Sequence, residues 1–169
     1  MDWDGRGAGA EVEDSCREAL VEKTAFLVNV EGVVFDGDRY LMAMRSMEEE
    51  HAPGTLAFPG GCVEHWPMDE VLEQTVRREI REEVDVEVGE CVYVESHSFG
   101  DKNPCVDVVF LCRYVSGVAR AVDPSEVSDV VWMTFDEAMA DSRTPPWIRN
   151  SLEKAEGVRR SNVTSLGHR

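Results

Sequence analysis

Residues 77–86 read RREIREEVDV. Three glutamates, Glu79, Glu82 and Glu83, fall within five consecutive positions, with arginines threaded between them. Upstream, Leu72, Val76, Ile80 and Val84 recur at four-residue spacing, which predicts an amphipathic helix beginning near Asp69. Asp69 suits the N-cap, and Glu70 and Glu73 suit the first turn. At roughly 100° per residue the three glutamates occupy an arc of about 100°. That arc borders the apolar stripe, whereas Arg77 and Arg81 point to the opposite face. A merely solvated acidic face would lie opposite the core. Carboxylates beside it are partly enclosed and raise one another's pKa. A divalent cation that prefers hard oxygen ligands, Mg²⁺ or Mn²⁺, resolves that conflict. Arg78 precedes Glu79 by one position and Glu82 by four, so it can brace a carboxylate from the side. On spacing alone, a surface helix laced with i,i+4 ion pairs remains an equal alternative.

The chain around this helix is organised as alternating strands and helices. TAFLVNVEGVVF is β-branched and aromatic and reads as a strand with a break at Gly32. The turn signal DGD leads to its hairpin partner RYLMAMRS. LAF is a short strand that runs into the sharp turn PGG. After the helix come VEVGECVYVESHSF and PCVDVVFLCRYVSG, two long strands joined through GDKN, and then the strand SDVVWMTF. DEAMAD begins a short helix, and TPPWIRNSLEKAE begins another, with proline at its first turn. Strands on both sides of one central helix, with a helix at the end, predict an α/β/α sandwich around a mixed β-sheet. Residues 1–20 read as a mobile acidic segment, 21–157 as one domain, and 158–169 as a frayed polar tail.

The chain has 169 residues with 34 acidic against 17 basic side chains, a formal charge of −17. Such a surface repels nucleic-acid backbone and anionic membranes. A small anionic substrate needs a local cation. The lysines are only Lys23, Lys102 and Lys154. High acidity with few lysines resembles cytoplasmic proteins of salt-loving (halophilic) organisms, where concentrated salt screens self-repulsion. The five cysteines form no C-x-x-C pair and read as reduced, mostly buried small hydrophobes. No signal-peptide pattern or membrane-length apolar run is present, which predicts a soluble cytoplasmic protein.

FPGG, Phe58–Gly61, stands just before the helix, and its glycine pair lets backbone approach a ligand closely. Gly61, Glu70, Arg78-Glu79-Ile80 and Glu82-Glu83 together resemble the Nudix hydrolase signature G-x5-E-x7-R-E-U-x-E-E-x-G-U, where U is a bulky aliphatic residue. The resemblance spans residues 24–156 and implies a Nudix-type sandwich. It also implies hydrolysis of a nucleoside diphosphate linked to another group, NDP-X plus water giving NMP and P-X. The substrate would be a (d)NTP, ADP-ribose or an NDP-sugar. By this resemblance Glu79, Glu82 and Glu83, with the Gly60 carbonyl, bind the metal, and Arg78 orients the glutamates. Glu70 holds the loop–helix junction. The general base is Glu82 or Glu83 of the box, or Glu126 in the loop DPSEVSDVVW, which could equally be a further ligand or a solvated acid. Arg45 could reach a phosphate or be a strand-end charge. Trp66, Phe99 and Trp147 could stack on a base or simply pack. A homodimer is compatible with the family.

The sequence departs from the signature twice. Eight residues rather than five separate Gly61 from Glu70, and Asp85 replaces the glycine after the helix. Two other classes compete with the enzyme: a non-catalytic Nudix-fold module that senses nucleotides, and an acidic interaction protein.

Overall fold

A computed structural model describes residues 25–64, 69–100 and 104–166, the last four of these by backbone alone. Seven strands form one mixed sheet: β1 (Leu27–Asp36), β2 (Arg39–Arg45), β3 (Leu56–Ala57), β4 (Gly60–Cys62), β5 (Val86–Phe99), β6 (Cys105–Gly117) and β7 (Val127–Thr134). Among the described residues three helices accompany it: α1 (Val71–Val84), α2 (Phe135–Ala140) and α3 (Pro146–Leu166). The central order is β3-β2-β1-β6-β5, with β4 paired to β1 and β7 to β2. β1 and β6 run parallel and every other pair is antiparallel. Among the described residues no helix is long and apolar enough to cross a membrane.

The period-two alternation of the strands divides the core. Val30, Val34, Leu41, Ala43, Phe110 and Cys112 pack with Val76, Ile80 and Val84 of α1. Val33, Tyr40, Met42, Val109 and Leu111 pack with Ile148, Leu152 and Ala155 of α3. The expected stripe of α1 therefore holds, with Leu72 at its partly buried margin.

Several boundaries differ from the sequence reading. Gly32 does not break β1. It lies within the strand because a Cβ there would stand 2.6 Å from Ile80 Cδ1 and 3.0 Å from Val76 Cγ2, so its smallness seats α1 on the sheet. Gly32→Ala should destabilise the fold by roughly 2 kcal/mol through overpacking, read as a lowered denaturant midpoint at unchanged slope.

Asp69 is not the N-cap of α1. Glu70 takes that position in a left-handed conformation (φ 50°, ψ 42°) without a side-chain cap. Gln74 supplies the local tie instead, donating Nε2–H to the Asp69 carbonyl at 2.7 Å. Arg77 does not simply face water; it is partly buried and donates to the Gly89 carbonyl at 3.3 Å. Arg81 does face outward, paired with Glu87.

α3 does not fray at Gly157 but continues to Leu166. A buried clip explains the continuation. The Tyr40 hydroxyl donates to Glu156, and Arg159 donates to Glu156 Oε2 at 2.7 Å, to the Tyr40 hydroxyl at 3.0 Å and to the Gly37 carbonyl at 3.0 Å. At the other helix exit, Asp85 adopts the left-handed cap (φ 56°), and its N–H reaches the Arg81 carbonyl at 3.2 Å. Arg120 donates to its carboxylate at 2.8 Å, so the side chain that replaces glycine gains a partner.

Candidate active site

The site forms where β4 meets α1. Gly60 and Gly61 are required there by close approach rather than by unusual torsion angles. A Cβ on Gly60 would lie 2.2 Å from the Val30 carbonyl oxygen, and one on Gly61 would lie 2.5 Å from the Glu79 carboxyl carbon. The glycine pair thus presses β4 onto β1 and lets the Glu79 carboxyl rest on the strand, so the PGG segment read as a sharp turn enters the sheet at Gly60. From the next turn of α1, Glu83 reaches the same place and accepts from the Gly60 N–H at 3.2 Å.

Arg78 lies between two of the glutamates. It donates Nη2–H to Glu79 at 2.6 Å and Nη1–H to Glu82 at 2.7 Å. Glu82, however, is 58% exposed and turned toward Arg78, while Glu79 and Glu83 converge on the two glycines of β4. Among the described residues no three carboxylate, imidazole or thiol groups come close enough together to hold a metal.

The electrostatics of the pair are strained. Glu83 is raised to about 8, first by burial and then by Glu79 and Glu126, against the pull of the Gly60 N–H and Arg45. Glu79 is also raised by burial, with Arg78 opposing and Glu82 and Glu64 adding repulsion. Two such carboxyls on one stretch of β4 backbone form an oxygen-rich cradle. Its donors suit a hard divalent cation, whose charge would remove the penalty that raises both groups.

The remaining candidates are distributed unevenly. Ile80 is fully buried beneath the cluster. Glu70 is exposed at the loop–helix junction. Glu126 is exposed, but its charge acts on Glu83, and its carbonyl accepts from the Ser46 N–H at 2.9 Å, which ties its loop to the end of β2. Arg45 acts electrostatically on Glu83 while its guanidinium is held by Glu49 and by the His51 carbonyl at 2.8 Å. Phe99 is exposed near the end of β5, its ring 6.2 Å from that of His97, and Trp147 is exposed on α3. Trp66 lies outside the described residues.

One acid of the site was missed by sequence reasoning. Glu31 of β1 pairs in register with Gly60 and stands opposite Val109 of β6. Burial and then Asp107, with smaller contributions from Glu83 and Glu95 against Arg45, raise its carboxyl to about 8. Asp107 itself is 2% exposed and accepts from Asn29 Nδ2 at 2.8 Å. The signal was parity: Glu31 shares its face with Val33, and Asp107 with Val109 and Leu111. A charged residue at an inward position of a central strand marks a polar site.

A NUDIX domain model matches residues 25–155. The chain belongs to the NUDIX family. Two curated relatives of this NUDIX chain are named hydrolases. Nudix hydrolase 19, chloroplastic, of Arabidopsis thaliana is 26% identical over 90% of this chain and 36% of its own length. The NAD-capped RNA hydrolase NudC of Pectobacterium carotovorum subsp. carotovorum is 31% identical over 72% of this chain and 43% of its own length. The NUDIX chain thus spans less than half of either relative. A MutT NUDIX hydrolase of Burkholderia pseudomallei superposes with a TM-score of 0.67 at 22% identity, covering 78% of this chain and 98% of that one. A MutT protein of Methanosarcina mazei Go1 gives 0.64 at 20% identity over 81% and 97%. At those identities the likeness shows the fold, the α/β/α sandwich expected from the sequence.

Proposed function

We propose that the protein is a divalent-metal-dependent pyrophosphohydrolase that converts a nucleoside diphosphate linked to another group into NMP and P-X. The observation that carries this reading is the convergence of Glu79 and Glu83 on the Gly60–Gly61 backbone of β4, braced by Arg78, at the positions of the family signature. When bound, Mg²⁺ or Mn²⁺ neutralises the pyrophosphate and lowers the pKa of the attacking water. Glu79 and Glu83 would hold it, with the Gly60 carbonyl beside them and Glu82 within reach once it leaves Arg78. Arg78 fixes the carboxylate directions, and Arg45 adds positive potential on the side of Glu83 and Glu31. Glu83 and Glu126 are the groups placed to take the water's proton.

The relative named for NAD-capped RNA puts dinucleotide substrates among those to be tried. A formal charge of −17 disfavours a long RNA far more than a small nucleotide, whose few charges a bound cation can neutralise. The test is a panel of (d)NTPs, ADP-ribose, NDP-sugars and NAD⁺, with and without Mg²⁺. Turnover of at least one compound should require the metal, and Glu82→Gln should lower it roughly 10–100-fold. No turnover anywhere in the panel, or metal-independent turnover, would sink the proposal. Full activity of Glu82→Gln would remove Glu82 from the ligand set.

A further inference from the structure

We propose that Cys91 and Cys112 form a site of reversible oxidative modification, closing to a disulfide when the protein meets a hydroperoxide. The two residues are direct cross-strand partners in the antiparallel β5–β6 ladder, and their Sγ atoms lie 3.6 Å apart. Directly opposed antiparallel residues have Cα atoms roughly 4.5–5.5 Å apart, inside the range of roughly 4.4–6.8 Å that a disulfide spans. Side-chain rotation therefore brings the sulfurs together without moving the strands apart. The ladder shifts register between Val88 and Cys91, and Cys91 is the first β5 residue paired beyond that irregularity.

The two thiols are unequal in a way that orders the chemistry. Cys91 is partly exposed, whereas Cys112 is fully buried in the core cluster under α1. The hydrogen bond from Cys112 lowers the Cys91 thiol, burial opposes, and Arg77 adds to the lowering. The same contact and burial raise Cys112 well above the usual thiol range. Cys91, the more accessible thiol, is thus the one that attacks the terminal peroxide oxygen as its thiolate, cleaving the O–O bond to give a sulfenic acid and an alkoxide (hydroxide from hydrogen peroxide) that takes up the proton Cys91 gave up. Cys112 then attacks the sulfenic sulfur; its proton and the departing hydroxyl leave as water and the S–S bond forms. In sum, two thiols and one hydroperoxide give one disulfide, one water and one alcohol (a second water for hydrogen peroxide). The peroxide accepts both electrons. The closed pair staples the β5 strand to β6 beside the partly buried Arg77 of α1.

Native full-length protein is treated with hydrogen peroxide, alkylated and digested without reductant. The expected product is a peptide pair joined through Cys91 and Cys112, 2 Da lighter than the two reduced peptides and released by dithiothreitol. In Cys91→Ser, Cys112 should stay reduced at the same peroxide dose. Oxidation of Cys91 to a sulfinic acid (about +32 Da) while Cys112 remains a free thiol would overturn the proposal. So would equal oxidation of Cys112 in the variant. The peptide map of the unmodified chain stands alone should the variant fail to fold.

Discussion

Glu83→Gln should lower metal-dependent turnover on the order of 10²–10⁴-fold, the range spanned by loss of a positioned proton acceptor. The substitution keeps the shape of the side chain and the acceptor for the Gly60 N–H, so the contact between α1 and β4 should survive. What it removes is the charge that would meet the metal. Stability supplies an independent readout. Without metal, Glu83 is raised from 4.5 to about 8, so the folded chain binds a proton that the unfolded chain releases. The stability linked to it is fully present below pH 4.5 and is lost as pH rises toward about 8. Metal-free Glu83→Gln should therefore show a flatter decline over that window. Glu31 is raised in the same direction and should leave part of the slope in place. Adding Mg²⁺ at pH 8 should raise the melting temperature of the unmodified chain by mass action, and much less that of the variant. An identical Mg²⁺ shift in both chains would place the metal elsewhere; identical turnover would free Glu83 from the chemistry.

The box was legible because it couples two independent constraints. The stripe Val76–Ile80–Val84 locates the core, and the glutamates take their position from it. Gly60 and Gly61 were legible as a close approach. The fold class followed from alternating strands and helices, with the β-hairpin around Gly37 and the helix at Pro146 both visible in local chemistry. Three things were not legible because they depend on partners far away in sequence. Gly32 reads as a breaker until Ile80 is placed over it. Glu31 shows only its inward parity until Gly60 and Asp107 are placed beside it. Gly157 reads as a helix end until Tyr40, 117 residues earlier, supplies a hydroxyl to Glu156, the residue just before it. The orientation of Glu82 was also hidden, since spacing gives an arc on a helix but not the competition of Arg78 for two carboxylates.

The clip around Glu156 predicts the largest stability effect. Its side chain is 7% exposed, and it accepts from Tyr40, Arg159 and Arg160. Burial disfavours the carboxylate, but bonds from Arg159, Tyr40 and Arg160 outweigh it and hold the group at about 2. Glu156→Ala leaves the largely buried Arg159 without its counter-charge and the Tyr40 hydroxyl without its acceptor. Breaking a buried pair from one side costs about 3–5 kcal/mol. Arg159 is 19% exposed and can partly recover water, so the lower end, about 3 kcal/mol, is expected. The readout is a denaturant midpoint, with amide exchange rising first in residues after 157, because the clip is what carries α3 beyond that point. The pH sign follows from the depressed pKa. The contribution is complete above the unfolded value near 4.5 and is lost as pH falls toward about 2. The unmodified chain and Glu156→Ala should therefore converge in stability on acidification. A gap that stays constant from pH 7 to pH 3 would mean that Glu156 acts through packing rather than charge. No gap at pH 7 would mean that the helix end is held by its apolar contacts alone.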